Sequence, residues 1–182
     1  MRIIITGATG LVGRALAREL LSRGHEVEAW TRSPDVSGPR LPPGCTVVGW
    51  HPERIDPRSI AGADAVLHLA GENVAAGRWT KARKNALHSS RVDVTEALVR
   101  AIADLPDSER PASLITASAI GFYGDRGEER LSEEVTPGAG FMPDLCHDWE
   151  RAAEAAESSG VRVAMLRIGI VLIAGCPRLF FI

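Results

Sequence analysis

Residues 2–13 read RIIITGATGLVG: a β-branched run that meets three glycines spaced Gly7-x-x-Gly10-x-x-Gly13. Arg2–Thr6 is expected as a buried strand, because continuous Ile/Thr runs fit a sheet covered on both faces. From Leu11 onward apolar residues recur at Leu11, Val12, Ala15, Leu16, Leu20 and Leu21, which is helical spacing, and Gly24 suits a helix end. A glycine turn between a strand and a helix is the setting in which such spacing binds a dinucleotide. Gly7 would permit the tight turn, Gly10 the approach of a pyrophosphate to the backbone, and Gly13 close helix–strand packing. Thr9, Leu11 and Val12 complete the loop and the first helical turn, whose free N–H groups favour phosphate.

The second strand, Glu26–Thr31, bears on which dinucleotide. A strand that serves NAD ends in Asp or Glu, which accepts the ribose 2′-hydroxyl. Here the chain runs Trp30-Thr31-Arg32, with no acid. Arg32 offers a planar fork suited to a 2′-phosphate. NADP(H) is therefore expected ahead of NAD(H).

Further strands are read at 46–50, 65–69, 114–117 and 161–172. Helices are read at 79–103 and 144–158, with one helical turn at 56–61 and proline- and glycine-rich loops at 33–44 and 122–140. Strands alternating with helices imply an α/β class, a doubly wound parallel sheet with right-handed crossovers. Ligands of such sheets bind outside the carboxyl ends of the strands. That directs attention to the loops beginning at Gly7, Thr31, Ala70, Ser118 and Gly169.

The chain has 182 residues, 45% hydrophobic and 24% charged, so one ordinary globular domain is expected. Its 21 basic and 23 acidic residues give a net charge of −2, which suggests neither a nucleic-acid nor an anionic-membrane partner. Cys45, Cys146 and Cys176 are far apart, with no Cys/His cluster, so no metal site and no disulfide framework are expected; a reducing, cytoplasmic setting fits. No apolar run is long enough to span a membrane. There is a single tyrosine, Tyr123, and the lysines are Lys81 and Lys84.

With these motifs the chain resembles the extended short-chain dehydrogenase/reductase superfamily: GATGLVG at 7–13, HLAG at 68–71, SAIGFYG at 118–124 and RIGIVL at 167–172. More narrowly it is similar to the branch of nucleoside-diphosphate-sugar epimerase-like proteins, through TRSP at 31–34, GW at 49–50, LAGEN at 69–73, GRWT at 77–80, SSRVDVT at 89–95 and CHDWERAAEAAE at 146–157. The resemblance covers residues 1–172. It implies an NADP-binding Rossmann domain in the cytosol, acting on a small-molecule substrate that it does not identify. Leu69, Ala70, Gly71 and Ala117 would stand on the nicotinamide side. Glu72 and Asn73 would meet the ribose, nicotinamide or substrate. Arg78 and Trp79 open the next helical region, where an Arg would suit an anionic substrate or merely start a surface helix.

The superfamily's chemistry rests on a Tyr-x-x-x-Lys pair and a Ser or Thr, and this chain cannot build the pair. Tyr123 is followed four residues later by Gly127, and an ungapped match puts Cys146 and Glu150 where the pair would stand. The usual serine falls on Ala119, next to Ser118. Ser118 and Tyr123 are the candidate proton donors, against plainer readings as a strand-end hydrogen-bonder and a pocket-wall aromatic. Cys146 reads as a half-buried small residue, Glu150 as a solvated helix carboxylate, His68 as a satisfied core histidine, and His147 as part of a polar helix face. Residues 173–182 do not match. They read as a truncated or frameshifted end, with the family's C-terminal substrate lobe missing. Three functions are open: an NADP(H)-dependent oxidoreductase, epimerase or dehydratase; a non-catalytic NADPH-binding module; and an inactive fragment of the enzyme. Oligomeric state is not legible.

Overall fold

The computed structural model describes residues 1–172; the expected non-matching tail, 173–182, lies outside the described residues. Six strands form one sheet: β1 Arg2–Thr6, β2 Glu26–Thr31, β3 Thr46–Gly49, β4 Ala65–His68, β5 Ser113–Ala119 and β6 Arg162–Ile168. Their order is β3-β2-β1-β4-β5-β6 and every pairing is parallel. The helices are α1 Leu11–Ser22, α2 Pro34–Ser37, α3 Pro57–Ile60, α4 Lys81–Ser89, α5 Val92–Ala103 and α6 Phe141–Glu154. This is the doubly wound α/β architecture expected from the alternating pattern. No helix among the described residues is long and apolar enough to cross a membrane.

β1 holds the centre because it is apolar on both faces. Ile4 packs with Trp30, Val66, Leu98 and Leu114 on one side, whereas Ile3 and Ile5 pack with Ala17, Val27 and Ala29 on the other. Ile4 and Ile5 are completely buried, and each such side chain contributes roughly 1.5–3 kcal/mol on removal from water. The parallel register sets Thr6 against Trp30 and His68, and His68 against Thr116. It also sets Ser118 against Arg167. These pairs bring the carboxyl ends of the strands level, beneath the candidate site.

The continuous helix expected over 79–103 is two helices. It breaks at Ser90 and Arg91. The Arg91 N–H bonds the His88 carbonyl, three residues back, while its guanidinium takes the Leu87 carbonyl at 3.4 Å. The side chain thereby satisfies a carbonyl that a continuing α-helix would have used. α6 starts three residues earlier than expected and ends in a 3-10 turn, Ala155–Ser159. β6 stops at Ile168, short of the expected 172.

Candidate functional site

An open cleft of about 1120 Å³ lies over the carboxyl ends of β1, β2 and β4, with α5 as its wall. Gly7, Thr9 and Gly10 line it. Gly7 has φ +70°, and a Cβ there would sit 2.6 Å from the Leu69 carbonyl group. A Cβ on Gly13 would overlap the Gly7 carbonyl oxygen and lie 2.7 Å from Ala8 Cα. Only glycine permits this approach of turn, helix and neighbouring loop. The first helical bond runs from the Arg14 N–H to the Gly10 carbonyl at 3.0 Å. The N–H groups of Leu11, Val12 and Gly13 therefore have no intrahelical partner, and no side chain among the described residues caps them. Residue by residue, the turn has the tight glycine geometry that the spacing implies.

Thr31, Arg32 and Ser33 form the cleft's end beyond β2. The Thr31 hydroxyl pairs with that of Ser37 at 2.8 Å and accepts the Ser33 N–H at 3.3 Å, which fixes the turn. Arg32 is exposed. Among the described residues it makes no hydrogen bond or ion pair, so its guanidinium is free to meet an anion in the cleft.

Leu69, Ala70, Gly71 and Glu72 form the opposite end. The Leu69 N–H donates to the Thr6 carbonyl at 3.2 Å and the Ala70 N–H to the Thr6 hydroxyl at 3.3 Å. Glu72 is tied down at three points. Its N–H donates to Ser90 Oγ at 3.1 Å, its carbonyl accepts Arg91 Nη2 at 2.9 Å, and its carboxylate accepts Arg83 Nη1 at 3.1 Å. Asn73 points elsewhere: its Oδ1 accepts the Ala75 N–H at 2.9 Å in a local turn, outside the cleft lining. Trp79 is half-exposed and edges Phe141 at 5.5 Å. Sequence reasoning missed Arg91. It is 3% exposed, stacked on Trp149 at 5.2 Å, with its guanidinium 3.1–3.3 Å from where a Gly71 Cβ would be.

His68 is fully buried beneath this loop. Its Nδ1 shares a 2.7 Å hydrogen bond with the Thr6 hydroxyl, but Nε2 has no partner among the described residues. The expected satisfied histidine is thus satisfied on one nitrogen only. Burial pushes its pKa down to about 4, so the ring is neutral in the fold. Once unfolded it takes up a proton below its ordinary pKa of about 6.5. Folding stability is therefore lost as pH falls through this window, by about 3 kcal/mol in all. The difference in urea-unfolding free energy between wild type and His68→Gln is expected to close over that range; a pH-independent difference would refute it.

Ser118 and Tyr123 do not line the cleft; neither does Ala117, which is 1% exposed and packs with Leu145 and Trp149. The structure instead joins Ser118 and Tyr123 through two charged residues. Ser118 Oγ donates to Glu150 Oε1 at 2.5 Å. Arg167 grips the same carboxylate as a fork, Nε to Oε1 and Nη2 to Oε2, both at 2.9 Å. Arg167 Nη1 donates to the Tyr123 phenol oxygen at 3.2 Å and to the Glu133 carbonyl at 2.9 Å. The guanidinium lies 3.5 Å from the Phe122 ring centre. The expectation that Glu150 is solvated is corrected: it is 6% exposed, because the register places Arg167 beside Ser118, opposite its helix face. Its carboxylate holds Arg167 protonated far above any working pH. Cys146 is buried rather than half-buried, at 1% exposure. Burial, and then the Glu150 charge, push its thiol up to about 11, which leaves it protonated and a poor nucleophile.

The NAD dependent epimerase/dehydratase family matches residues 3–168. The epimerase family protein Mb2239 of Mycobacterium bovis is 38% identical over 172 residues, covering 93% of this chain and 54% of its own. A nucleoside-diphosphate sugar epimerase from Corynebacterium glutamicum superposes with a TM-score of 0.73 at 37% identity, covering 92% of this chain and 33% of that one. The human epimerase family protein SDR39U1 (isoform 2), solved with NADPH, superposes with a TM-score of 0.76 at 28% identity, covering 97% and 56%. The chain spans about half the length of the curated relatives it matches.

Proposed function

The chain belongs to the NAD dependent epimerase/dehydratase family, and we propose that it binds NADP(H) and serves an oxidoreductase or epimerase reaction on a small polar or nucleotide-sugar-like alcohol or carbonyl. The observation that carries this reading is the glycine-lined cleft, with helix N–H groups at one point and Arg32 at another that have no partner among the described residues. Gly7, Thr9, Gly10, Leu11, Val12 and Gly13 would hold the pyrophosphate. Thr31 and Arg32 would take the 2′-phosphate. Leu69, Ala70 and Gly71 would border the nicotinamide, with Ala117 beneath and Glu72 toward the substrate; Asn73, expected there too, would only shape the loop, since its side chain closes its own turn. When bound, the nicotinamide supplies the hydride donor or acceptor. Tyr123 and Ser118 are the groups of this chain that would give or take the accompanying proton. The cytoplasm is the compartment this reading assigns. A relative solved with NADPH supports the cofactor.

A second reading, a non-catalytic NADPH-binding module, is favoured by one observation. The two positions matching the superfamily's Tyr-x-x-x-Lys pair hold Cys146 and Glu150, both buried and neither able to repeat its role.

Calorimetric titration tests the shared part of both. NADPH is expected to bind more tightly than NADH. Arg32→Ala should weaken NADPH by roughly 10- to 100-fold, the worth of a charge-assisted hydrogen bond, and leave NADH unchanged. Equal affinities, or a variant that weakens both alike, would remove the NADP assignment.

A further inference from the structure

We propose that Arg167, locked in place by Glu150, is the positioning residue for the Tyr123 phenol, so that the cation beside the proton-transferring tyrosine comes from β6 instead of from the helix that carries Cys146 and Glu150. The inference rests on Tyr123 as a proton donor, given above, and names how this chain prepares it.

Three observations carry it. First, Arg167 Nη1 is the one hydrogen-bond partner of the phenol oxygen among the described residues, at 3.2 Å. Second, the guanidinium cannot swing away. Its other two nitrogens are held by one carboxylate at 2.9 Å each, and its face lies on Phe122. A two-point fork fixes orientation as well as distance. Third, Glu150 is itself fixed, by burial and by the 2.5 Å bond from Ser118. A surface arginine stacked on an aromatic would need none of this. The chain places a buried carboxylate on α6 and a strand residue on β6 in register with Ser118, and the product is one N–H aimed at one phenol oxygen.

The chemistry follows from charge. When the phenol gives its proton to a substrate oxygen, the O–H bond breaks, a new O–H forms on the substrate, and a phenolate is left. That negative charge appears 3.2 Å from a permanently protonated guanidinium whose dipoles are already oriented. Water returns the proton to the phenolate. In the opposite direction the phenolate accepts the substrate hydroxyl's proton, and the same N–H donates to the resulting phenol. Arg167 touches neither substrate nor cofactor; it acts through Tyr123.

The chain's single tyrosine makes the test direct, because a protein labelled with [13Cζ]tyrosine gives one ring resonance. That carbon reports donors at the phenol oxygen. Arg167→Met and Glu150→Gln should both move it in the same direction, beyond its linewidth. Arg167→Lys should restore it only in part, since an ammonium on a flexible stem cannot keep the fork. Arg162→Ala, exposed on the same strand, should leave it in place. Glu150→Gln keeps the shape and one hydrogen-bonding oxygen, so it covers the case in which Arg167→Met unfolds. A resonance unmoved by Arg167→Met and Glu150→Gln, or moved equally by Arg162→Ala, would overturn the proposal. NADPH titration of the same samples separates the two readings. Failure of wild type to bind NADPH with the resonance responding as described would sink the cofactor assignment and leave the phenol's positioning intact.

Discussion

Glu150→Ala is expected to remove about 3–5 kcal/mol of folding stability, the cost of stranding one member of a buried ion pair. In a domain of this size that corresponds to a melting temperature lowered by roughly 10 °C. The effect is large because the fork leaves the Arg167 side chain only 17% exposed and the Glu150 side chain 7% exposed, so water cannot replace the missing partner. It would also strand the Ser118 hydroxyl, which is completely buried. The exposed pair Arg23–Glu19, both more than half exposed, should contribute little by comparison. The double variant Glu150→Leu/Arg167→Met is expected to recover most of the loss, because apolar groups of similar size need no partner. Urea unfolding of wild type, Glu150→Ala, Arg167→Met and the double variant measures this. If the double variant is no more stable than Glu150→Ala, the loss comes from packing and not from the unpaired charge.

Gly13→Ala is expected to cost about 3 kcal/mol and, with it, nucleotide binding. Overpacking a tight site costs roughly 1–3 kcal/mol, and here the obstructing atoms are backbone: the Gly7 carbonyl oxygen and Ala8. No side chain can rotate to make room, so α1 must move away from the turn. The N–H groups of Leu11, Val12 and Gly13 then lose their common aim, and NADPH affinity should fall by at least roughly 100-fold. Gly24→Ala serves as the comparison. A Cβ there would meet nothing within 4 Å, and only the positive φ of +79° resists it. That variant should lose stability but keep NADPH affinity. A Gly13→Ala protein that melts and binds like wild type would mean that the turn is looser than its contacts imply.

The sheet and the glycine turn after β1 were legible because their causes are local. Apolar β-branched runs define β1 and β2, and three glycines at fixed spacing define the turn. Both are properties of consecutive residues. The helix break was not legible, since the Arg91 side chain causes it by reaching the Glu72 carbonyl 19 residues away and burying itself on Trp149. Glu150 was misread for the same kind of reason. Its partner lies 17 residues on, in another strand. A signal existed: Glu150 falls among Leu145, Cys146, Trp149 and Ala153, the buried face of α6, where a carboxylate needs a cation. The sequence motif showed Ser118 and Tyr123 as near neighbours, at the end of β5 and in the turn that follows it, but their link through two charges depends on the β5–β6 register, which no local pattern encodes.

The sheet order also has a consequence for synthesis. β1 is made first yet ends in the middle of the sheet, between β2 and β4. Once Gly49 has left the ribosome, β1, β2 and β3 can pair, and β1 then presents an open parallel edge with Ile3, Ile4 and Ile5 along it. That edge stays open until His68 has emerged and β4 can close it. An apolar strand with unpaired backbone groups invites pairing with another chain. The nascent protein therefore carries an apolar open edge on β1 during the synthesis of residues 50–68, and once β4 covers it the open edge passes to β4 until β5 has been made.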